Sequence, residues 1–401
     1  MKTLRELGLS VPEIVLPKKI DTAVWSVIAC DQYTQNPQYW EKAAQTAGNK
    51  PSTLNLILPE IYLNAPDKTE RIKKIRRTMQ EYEKDGVFAA PEKELIYVER
   101  TTSYGRTRHG LIAAIDLDSY EWKPFSKALI RATEATILER IPPRKEIRKG
   151  APLELPHIML LVNDPEHILV EKAGEAAKNA EEKAGSTEKT RAAAYSGNLM
   201  MRGGSITGWS IKNGTEIAAV EKAVNKIAEQ NTAADGSVFL FAVGDGNHSL
   251  ATAKTVWEEY KAELKTAGKT DAEIESNPVR YALVEIVNIY DSGLTFEPIH
   301  RVLFGADVNK LTGFLQKKFG GTLSECKSQE KLVSAVKKSS ANFGFVSMEN
   351  GKTSYKLLES TVTELAVARL QPELDSFIAD QKKSGTKIDI DYIHGSDEVF
   401  T

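Results

Sequence analysis

Apolar and polar residues follow each other along the chain in blocks that predict alternating strands and helices. Short apolar runs indicate buried strands, and they cover residues 155–162, 238–243 and 281–289. Apolar side chains between residues 217 and 230 recur instead with the spacing of an amphipathic helix. Strands that alternate with helices in this way predict an α/β fold.

The N-terminal part of the chain carries the same two patterns. Residues 67–85 predict a helix. Residues 94–100 and 110–116 predict a hairpin, joined by a polar connection that ends at His109. An earlier apolar run at residues 25–30 predicts a further buried strand.

The pattern changes toward the C-terminus. Short helices are predicted at residues 311–319 and 329–338, and the pair Asn350-Gly351 predicts the turn of a hairpin. We therefore expect a main α/β body with a mixed sheet over residues 1–305. A small α+β module over residues 306–401 is expected to pack on it.

Composition and charge exclude several classes of protein. The 401 residues include 53 Lys and Arg against 55 Asp and Glu, and this balance argues against a nucleic-acid-binding protein. The longest apolar run, residues 238–243, is far shorter than the roughly 20 residues that cross a membrane. Cys30 and Cys326 lack metal-ligand spacing, and residues 1–6 lack the apolar core of a signal peptide. We expect a cytoplasmic protein, and its oligomeric state stays open.

The segment with the clearest chemical signal is the sequence Gly-Asp-Gly-Asn-His-Ser at residues 244–249, between an apolar strand and a predicted helix. Ligands bind at the carboxyl ends of strands in open α/β sheets, and a helix N-terminus presents N–H groups to anions. Asp245 is a candidate metal ligand or base, and His248 is a candidate phosphate donor or proton shuttle. A plain strand-to-helix turn uses the same residue types, so a structural role stays an alternative.

Two other segments carry candidate residues. His300 and Arg301 follow the strand 281–289 and face opposite sides of an extended chain, so that one of them can join a cleft. The fork of Arg301 suits two oxygens of a phosphate or carboxylate. A helical stripe is predicted within residues 128–144, and Glu134 in that segment is a candidate base or metal ligand. For both segments an exposed structural role is the alternative.

In their order along the chain, these three segments resemble those of the domain of unknown function 1015 family. The family's Arg-Pro-His-Glu-x-Thr stretch is similar to residues 131–136. Its Asp-Gly-His-His-Arg loop is similar to residues 245–249, and its Gly-Leu-x-x-x-Pro-x-His-Arg stretch to residues 293–301. The resemblance covers most of the chain up to about residue 304 and is weaker beyond it.

The chain departs from the family pattern at three positions. Thr133 and Asn247 stand where many members have histidine, and Ser249 stands where many have arginine. These departures imply that the reaction is altered or that phosphate is bound by different side chains.

The loop is also similar to the nucleotide loop of the ParB/sulfiredoxin superfamily, which includes ADP-dependent free serine kinases. This likeness implies that residues 244–249 hold the phosphates of a nucleotide, ADP or ATP, with Mg²⁺. The domain of unknown function 1015 family tends to lie beside serine-biosynthesis genes, which implies a small-molecule substrate such as serine or phosphoserine. The implied activity is phosphoryl transfer, as in a kinase or a phosphatase. A nucleotide- or metabolite-sensing protein without catalysis is the alternative. DNA binding, as in ParB, is disfavoured by the near-neutral charge.

The phosphoryl-transfer hypothesis gives the candidate residues two roles. The catalytic candidates are Glu134, His248 and Asp245, of which Asp245 also positions Mg²⁺. The candidates for binding phosphate or substrate are Gly244, Gly246, Asn247, Ser249, His300, Arg301 and Arg131.

Overall fold

The computed structural model describes residues 1–19, 21–123, 125–134, 141–155, 158–179, 191–294, 299–349, 351–364, 366–394 and 400. The chain divides into two compact units, Met1–Thr295 and Phe296–Thr401. Some of the positions singled out in the sequence lie outside the described residues, namely residues 135–140, residues 295–298, His157 and Asn350 of the predicted hairpin turn.

The first unit is built on extended segments that carry the apolar runs. Its strands are β1 Leu9–Ser10, β2 Glu13–Ile14, β3 Glu92–Lys93, β4 Leu95–Thr101, β5 Thr107–Asp116, β6 Tyr120–Glu121, β7 Ile130–Arg131, β8 Ile158–Val162, β9 Tyr195–Asn198, β10 Ser205–Ile211, β11 Phe241–Asp245 and β12 Tyr281–Asn288. Over the described part of the chain they form a 10-stranded sheet in the order β6-β7-β11-β8-β12-β5-β4-β10-β9, with β1 paired to β5. The strands β2 and β3 form a separate ribbon.

Strand β8 lies between two neighbours that run in opposite directions. It is parallel to β12, with Leu160 opposite Ile286, and antiparallel to β11, with Leu160 also opposite Val243. Strand β12 continues antiparallel to β5, and β5 antiparallel to β4. The mixture of directions confirms the predicted α/β body with a mixed sheet.

Helices alternate with these strands along the chain. In the first unit they are α1 Thr22–Trp25, α2 Pro37–Ala47, α3 Lys68–Lys84, α4 Ile141–Arg148, α5 Val170–Lys178, α6 Gly214–Gln230, α7 Asn247–Thr266 and α8 Asp271–Glu275. Helix α6 begins where the side chain of Asn213 accepts a hydrogen bond from the backbone N–H of Thr215, at 2.9 Å, as N-cap residues do. Its apolar stripe, which includes Val224 and Ile227, is buried in the same core as the centre of the sheet.

Three details of the sequence prediction are wrong. Residues 25–30 form no strand, because Asp21 caps helix α1 and Trp25 ends it. The predicted helical stripe begins instead with β7, which pairs parallel to both β6 and β11. His109 belongs to β5 and not to the connection before it. A short apolar run does not by itself distinguish a strand from a helix, and in these segments caps and strand partners decide.

The second unit has its own sheets and helices. Its strands are β13 Ile299–Phe304, β14 Thr322–Cys326, β15 Asn342–Glu349, β16 Lys352–Glu359 and β17 Asp389–His394. Its helices are α9 Val308–Phe319, α10 Gln329–Val336 and α11 Ala366–Lys383. The strands pair as β13-β17 and β14-β16-β15, and the core contains Leu315, Leu358 and Phe377. No helix within the described residues is long and apolar enough to cross a membrane.

The central position of β8 generates a stability prediction. The Leu160 side chain is fully buried between β11 and β12, so Leu160→Ala leaves a cavity and should lower the free energy of unfolding by about 2–5 kcal/mol. Phe125→Ala, at a fully exposed position, is the matched control and should change it by less than about 0.5 kcal/mol. Chemical denaturation measures both. Equal losses in the two variants would mean that β8 is not the centre of the core.

Candidate functional site

The loop at residues 244–249 is a direct junction between β11 and α7. Strand β11 ends at Asp245 and helix α7 begins at Asn247, so Gly246 alone connects them. Gly246 is the N-cap of α7 with φ +83° and ψ +27°, a left-handed conformation that costs other L-residues about 1–2 kcal/mol. Its N–H donates to Oδ1 of Asp245 at 2.8 Å, and its carbonyl accepts the N–H of Leu250 at 2.9 Å. The sequence thus turns from strand to helix in one residue.

Both glycines of the loop lie close against β8. A Cβ atom on Gly244 would be 2.7 Å from Cγ of Leu161, and one on Gly246 would be 3.1 Å from Cγ1 of Ile158. Neither position has room for a larger residue without a shift of β8. Packing alone therefore explains these two glycines, beside any role in binding phosphate.

A pair of polar side chains joins the loop to the segment that follows β7. The Thr133 N–H donates to Oδ1 of Asn247 at 3.2 Å, and Nδ2 of Asn247 donates to Oγ1 of Thr133 at 3.3 Å. The Thr133 hydroxyl also donates to the carbonyl of Val243 at 2.6 Å. Asn247 is 5% exposed, so these bonds satisfy a buried amide. Two of the three predicted segments consequently meet in space.

The pair sets the surroundings of the catalytic candidates. Glu134 directly follows Thr133 and has an exposed side chain. Asp245 and His248 flank Gly246 and Asn247, and both are partly buried. The His248 carbonyl accepts the hydroxyl of Thr252 at 2.7 Å within helix α7. Glu134, Asp245 and His248 are therefore each within two positions along the chain of a member of this hydrogen-bonded pair.

The Arg131 side chain lies away from the Thr133–Asn247 pair. Its Nε donates to the carbonyl of Ala128 at 2.8 Å, and its guanidinium carbon lies 4.6 Å from the ring centre of Phe239. A further bond reaches the carbonyl of Val238 at 3.3 Å, before the start of β11. These contacts place the charge toward the beginning of β11, whereas the loop follows its end.

His300 and Arg301 belong to the second unit and lie on β13. As expected for neighbours on a strand, they differ in surroundings: Nε of Arg301 donates to Oε1 of Gln371 at 3.0 Å, with its guanidinium 5.5 Å from the Tyr392 ring centre. Nε2 of His300 is buried without a hydrogen-bond partner among the described residues. Burial lowers the pKa of His300, and the charge of Arg301 lowers it further, so the imidazole is held neutral.

Comparison with known proteins gives one match. A model of the family described as protein of unknown function DUF1015 matches residues 14–377. The chain belongs to this family. No curated protein and no solved structure matches it.

The DUF1015 match includes all three segments on which the sequence resemblance rests, residues 131–136, 245–249 and 293–301. Thr133 and Asn247, the two positions at which the sequence resemblance implies threonine and asparagine in place of histidine, hydrogen-bond to each other. The two positions are thus neighbours in space, and each satisfies the other.

The sequence prediction missed a polar cluster elsewhere in the first unit. Nδ1 of His109, on β5, lies 2.7 Å from Oδ2 of Asp291, which follows β12. The two residues are 182 positions apart, and their spacing in the sequence gives no sign of this contact. The one available signal was the alternation of β5, which places His109 on the same face as the buried residues Leu111 and Ala113.

The Thr133–Asn247 pair generates a thermodynamic prediction. Because each residue satisfies the other, Thr133→Ala and Asn247→Ala should be non-additive, with a coupling of at least about 0.5 kcal/mol in a double-mutant cycle. A matched cycle of Asn247→Ala with Thr266→Ala, at the far end of α7, should be additive. Urea denaturation of the single and double variants measures both cycles. Additivity in the first cycle would show that the two segments are not joined by this pair.

Proposed function

We propose that residues 244–249 hold the phosphates of a nucleotide, ADP or ATP, in a phosphotransferase or phosphohydrolase that acts on a small metabolite such as serine or phosphoserine. The observation that carries the proposal is the junction at Gly246, where a strand ends and a helix of 20 residues begins. The likeness to the nucleotide loop of the ParB/sulfiredoxin superfamily supports the same assignment.

The start of α7 suits an anion for two physical reasons. The aligned peptide dipoles of a helix leave about half a positive charge at its N-terminus. The N-cap is glycine, so the N-cap itself contributes no carboxylate or hydroxyl at the position that a phosphate oxygen takes in phosphate-binding loops.

The catalytic roles follow from the position of the carboxylates. Glu134 is exposed next to the loop, where it can take or return the proton of a substrate hydroxyl. His248, in the first turn of α7, is the second proton-transfer group of the proposal. Phosphoryl transfer needs little more from the protein than positioning and stabilisation of charge.

Mg²⁺ fits this arrangement as an ion carried by the nucleotide. Among the described residues, no three His, Cys, Asp or Glu side chains are grouped as a metal site. Magnesium in nucleotide sites is usually held by one or two carboxylates together with phosphate oxygens and water. Asp245, at the end of β11, is the carboxylate that would hold the ion, and the ion would offset the phosphate charge.

A non-catalytic nucleotide sensor is the second candidate, and one observation favours it. Thr133 and Asn247 occupy positions where many family members have histidine, and their side chains bond to each other. A threonine hydroxyl and an asparagine amide neither gain nor lose a proton near neutral pH. The pair can therefore position the loop for a ligand, but it does not transfer protons.

The proposal predicts that Asp245→Ala and His248→Ala lower turnover by about 100-fold or more, since each removes a group that acts on the reacting atoms. The melting temperature should change little, because both side chains are only partly buried. Product formation from ADP or ATP with Mg²⁺ and serine or phosphoserine is the measurement. Asp235→Ala, at an exposed loop position before β11, is the matched acidic control and should keep full turnover.

Each other outcome has a definite meaning. A nucleotide-dependent rise in melting temperature without product would favour the sensor. Unfolding of both variants would assign the loop a structural role, and the absence of both binding and turnover would reject the proposal.

A further inference from the structure

A histidine and a buried carboxylate form a pair at the other end of the sheet from the 244–249 loop. Nδ1 of His109 lies 2.7 Å from Oδ2 of Asp291. The Asp291 side chain is 2% exposed and the His109 side chain is 32% exposed. The acid is therefore inside the protein, and the imidazole extends from it toward solvent.

Asp291 is held in place by backbone donors as well. The His109 N–H donates to Oδ2 at 3.0 Å, and the Gly293 N–H donates to Oδ1 at 2.6 Å. Both oxygens are engaged, so the side chain has a single defined orientation.

The turn that carries Asp291 is fitted closely to β5. A Cβ atom on Gly293 would lie 1.9 Å from the carbonyl oxygen of Thr107, so only glycine allows this approach. The N–H of Asp291 also donates to the carbonyl of Asn288, at the end of β12, at 3.0 Å. The acid is consequently positioned by the sheet itself.

This geometry selects one tautomer of the imidazole. An ionised Asp291 accepts the proton on Nδ1, which leaves the lone pair of His109 on Nε2. No side chain among the described residues is hydrogen-bonded to Nε2. A neutral imidazole held in this way is the arrangement of a general base.

The neighbours of His109 are a buried aromatic ring and two partly exposed charged side chains. The Tyr97 ring is nearly parallel to the imidazole, at 12°, with centroids 6.3 Å apart. Glu99 lies opposite His109 across the β4–β5 pair, and Nζ of Lys178 lies 2.8 Å from Oε1 of Glu99. Because Lys178 offsets the charge of Glu99, the exposed side of the imidazole suits an uncharged polar ligand with a hydroxyl group.

We propose that His109 and Asp291 form a second site, in which Nε2 of His109 takes a proton from a hydroxyl group, of water or of a small polar ligand. The site is separate from the 244–249 loop. Asp245 pairs with Met159 at the start of β8, whereas Asn288 pairs with Val162 at its end. At about 3.3 Å per residue, β8 keeps the two places more than roughly 10 Å apart.

A second histidine pair serves as a comparison. Nδ1 of His167 lies 2.8 Å from Oε1 of Glu171, but this histidine is 48% exposed and its acid 24%. The same oxygen of Glu171 also accepts a bond from Asn288 at 3.0 Å. The two pairs have the same chemistry, and they differ in the burial of the acid.

Residue-resolved modification by diethyl pyrocarbonate tests the proposal on the full chain. The unprotonated imidazole nitrogen attacks a carbonyl carbon of the reagent, an N–C bond forms, and ethyl carbonate leaves and decomposes to ethanol and CO₂. Glu171 raises the pKa of His167, so the rates are compared on the alkaline plateau, where both rings are neutral. Mass spectrometry of peptides then gives a rate for each histidine.

His109 should react about threefold or more faster than His167, although it is less exposed. In Asp291→Ala the N–H at Nδ1 has lost its acceptor, so the imidazole proton is no longer held on Nδ1 and the rate at His109 should fall about twofold or more. Glu171→Gln is the matched control and should leave the rate at His109 unchanged.

A wild-type rate at His109 less than about threefold above that at His167 would overturn the proposal, as would an unchanged rate in folded Asp291→Ala. If that variant does not fold, the ¹⁵N chemical shifts of His109 in the wild-type protein decide the matter. The Nδ1–H tautomer supports the dyad, and the Nε2–H tautomer contradicts it.

Discussion

The pairing of β8 with an antiparallel neighbour on one side and a parallel neighbour on the other determines where the polar groups of the first unit lie. Strand β11 ends beside the start of β8, whereas β12 ends beside the end of β8. Each of these two strands ends in a polar residue, Asp245 in β11 and Asn288 in β12, and Asp291 follows three positions after Asn288. The apolar centre of the sheet, with the fully buried Leu160 and Ile286, lies between these two groups of polar residues.

At the β11 end, two polar side chains from distant segments act together. A buried amide at position 247 needs hydrogen-bond partners, since an unsatisfied one costs about 1–3 kcal/mol. Thr133 supplies both a backbone donor and a hydroxyl acceptor. The pair therefore joins the two segments through side chains that carry no charge near neutral pH.

Much of the regular structure could be predicted from the sequence. The predicted helices at 67–85 and 217–230 correspond to α3 and α6, because their amphipathic stripes are long enough to define a face. The errors occurred in short segments. Residues 130–131 are a strand because β6 and β11 pair with them on both sides, and such partners cannot be recognised from local spacing.

The sequence by itself determined the family, the α/β class and the passage from strand to helix at residues 244–249, because these depend on residue types at short range. Only the tertiary structure decided which polar groups share a site. Thr133 meets Asn247 across 114 positions, and His109 meets Asp291 across 182. The physical reason is that hydrogen bonds between distant residues follow from strand order and register, and these are set by burial of the whole sheet.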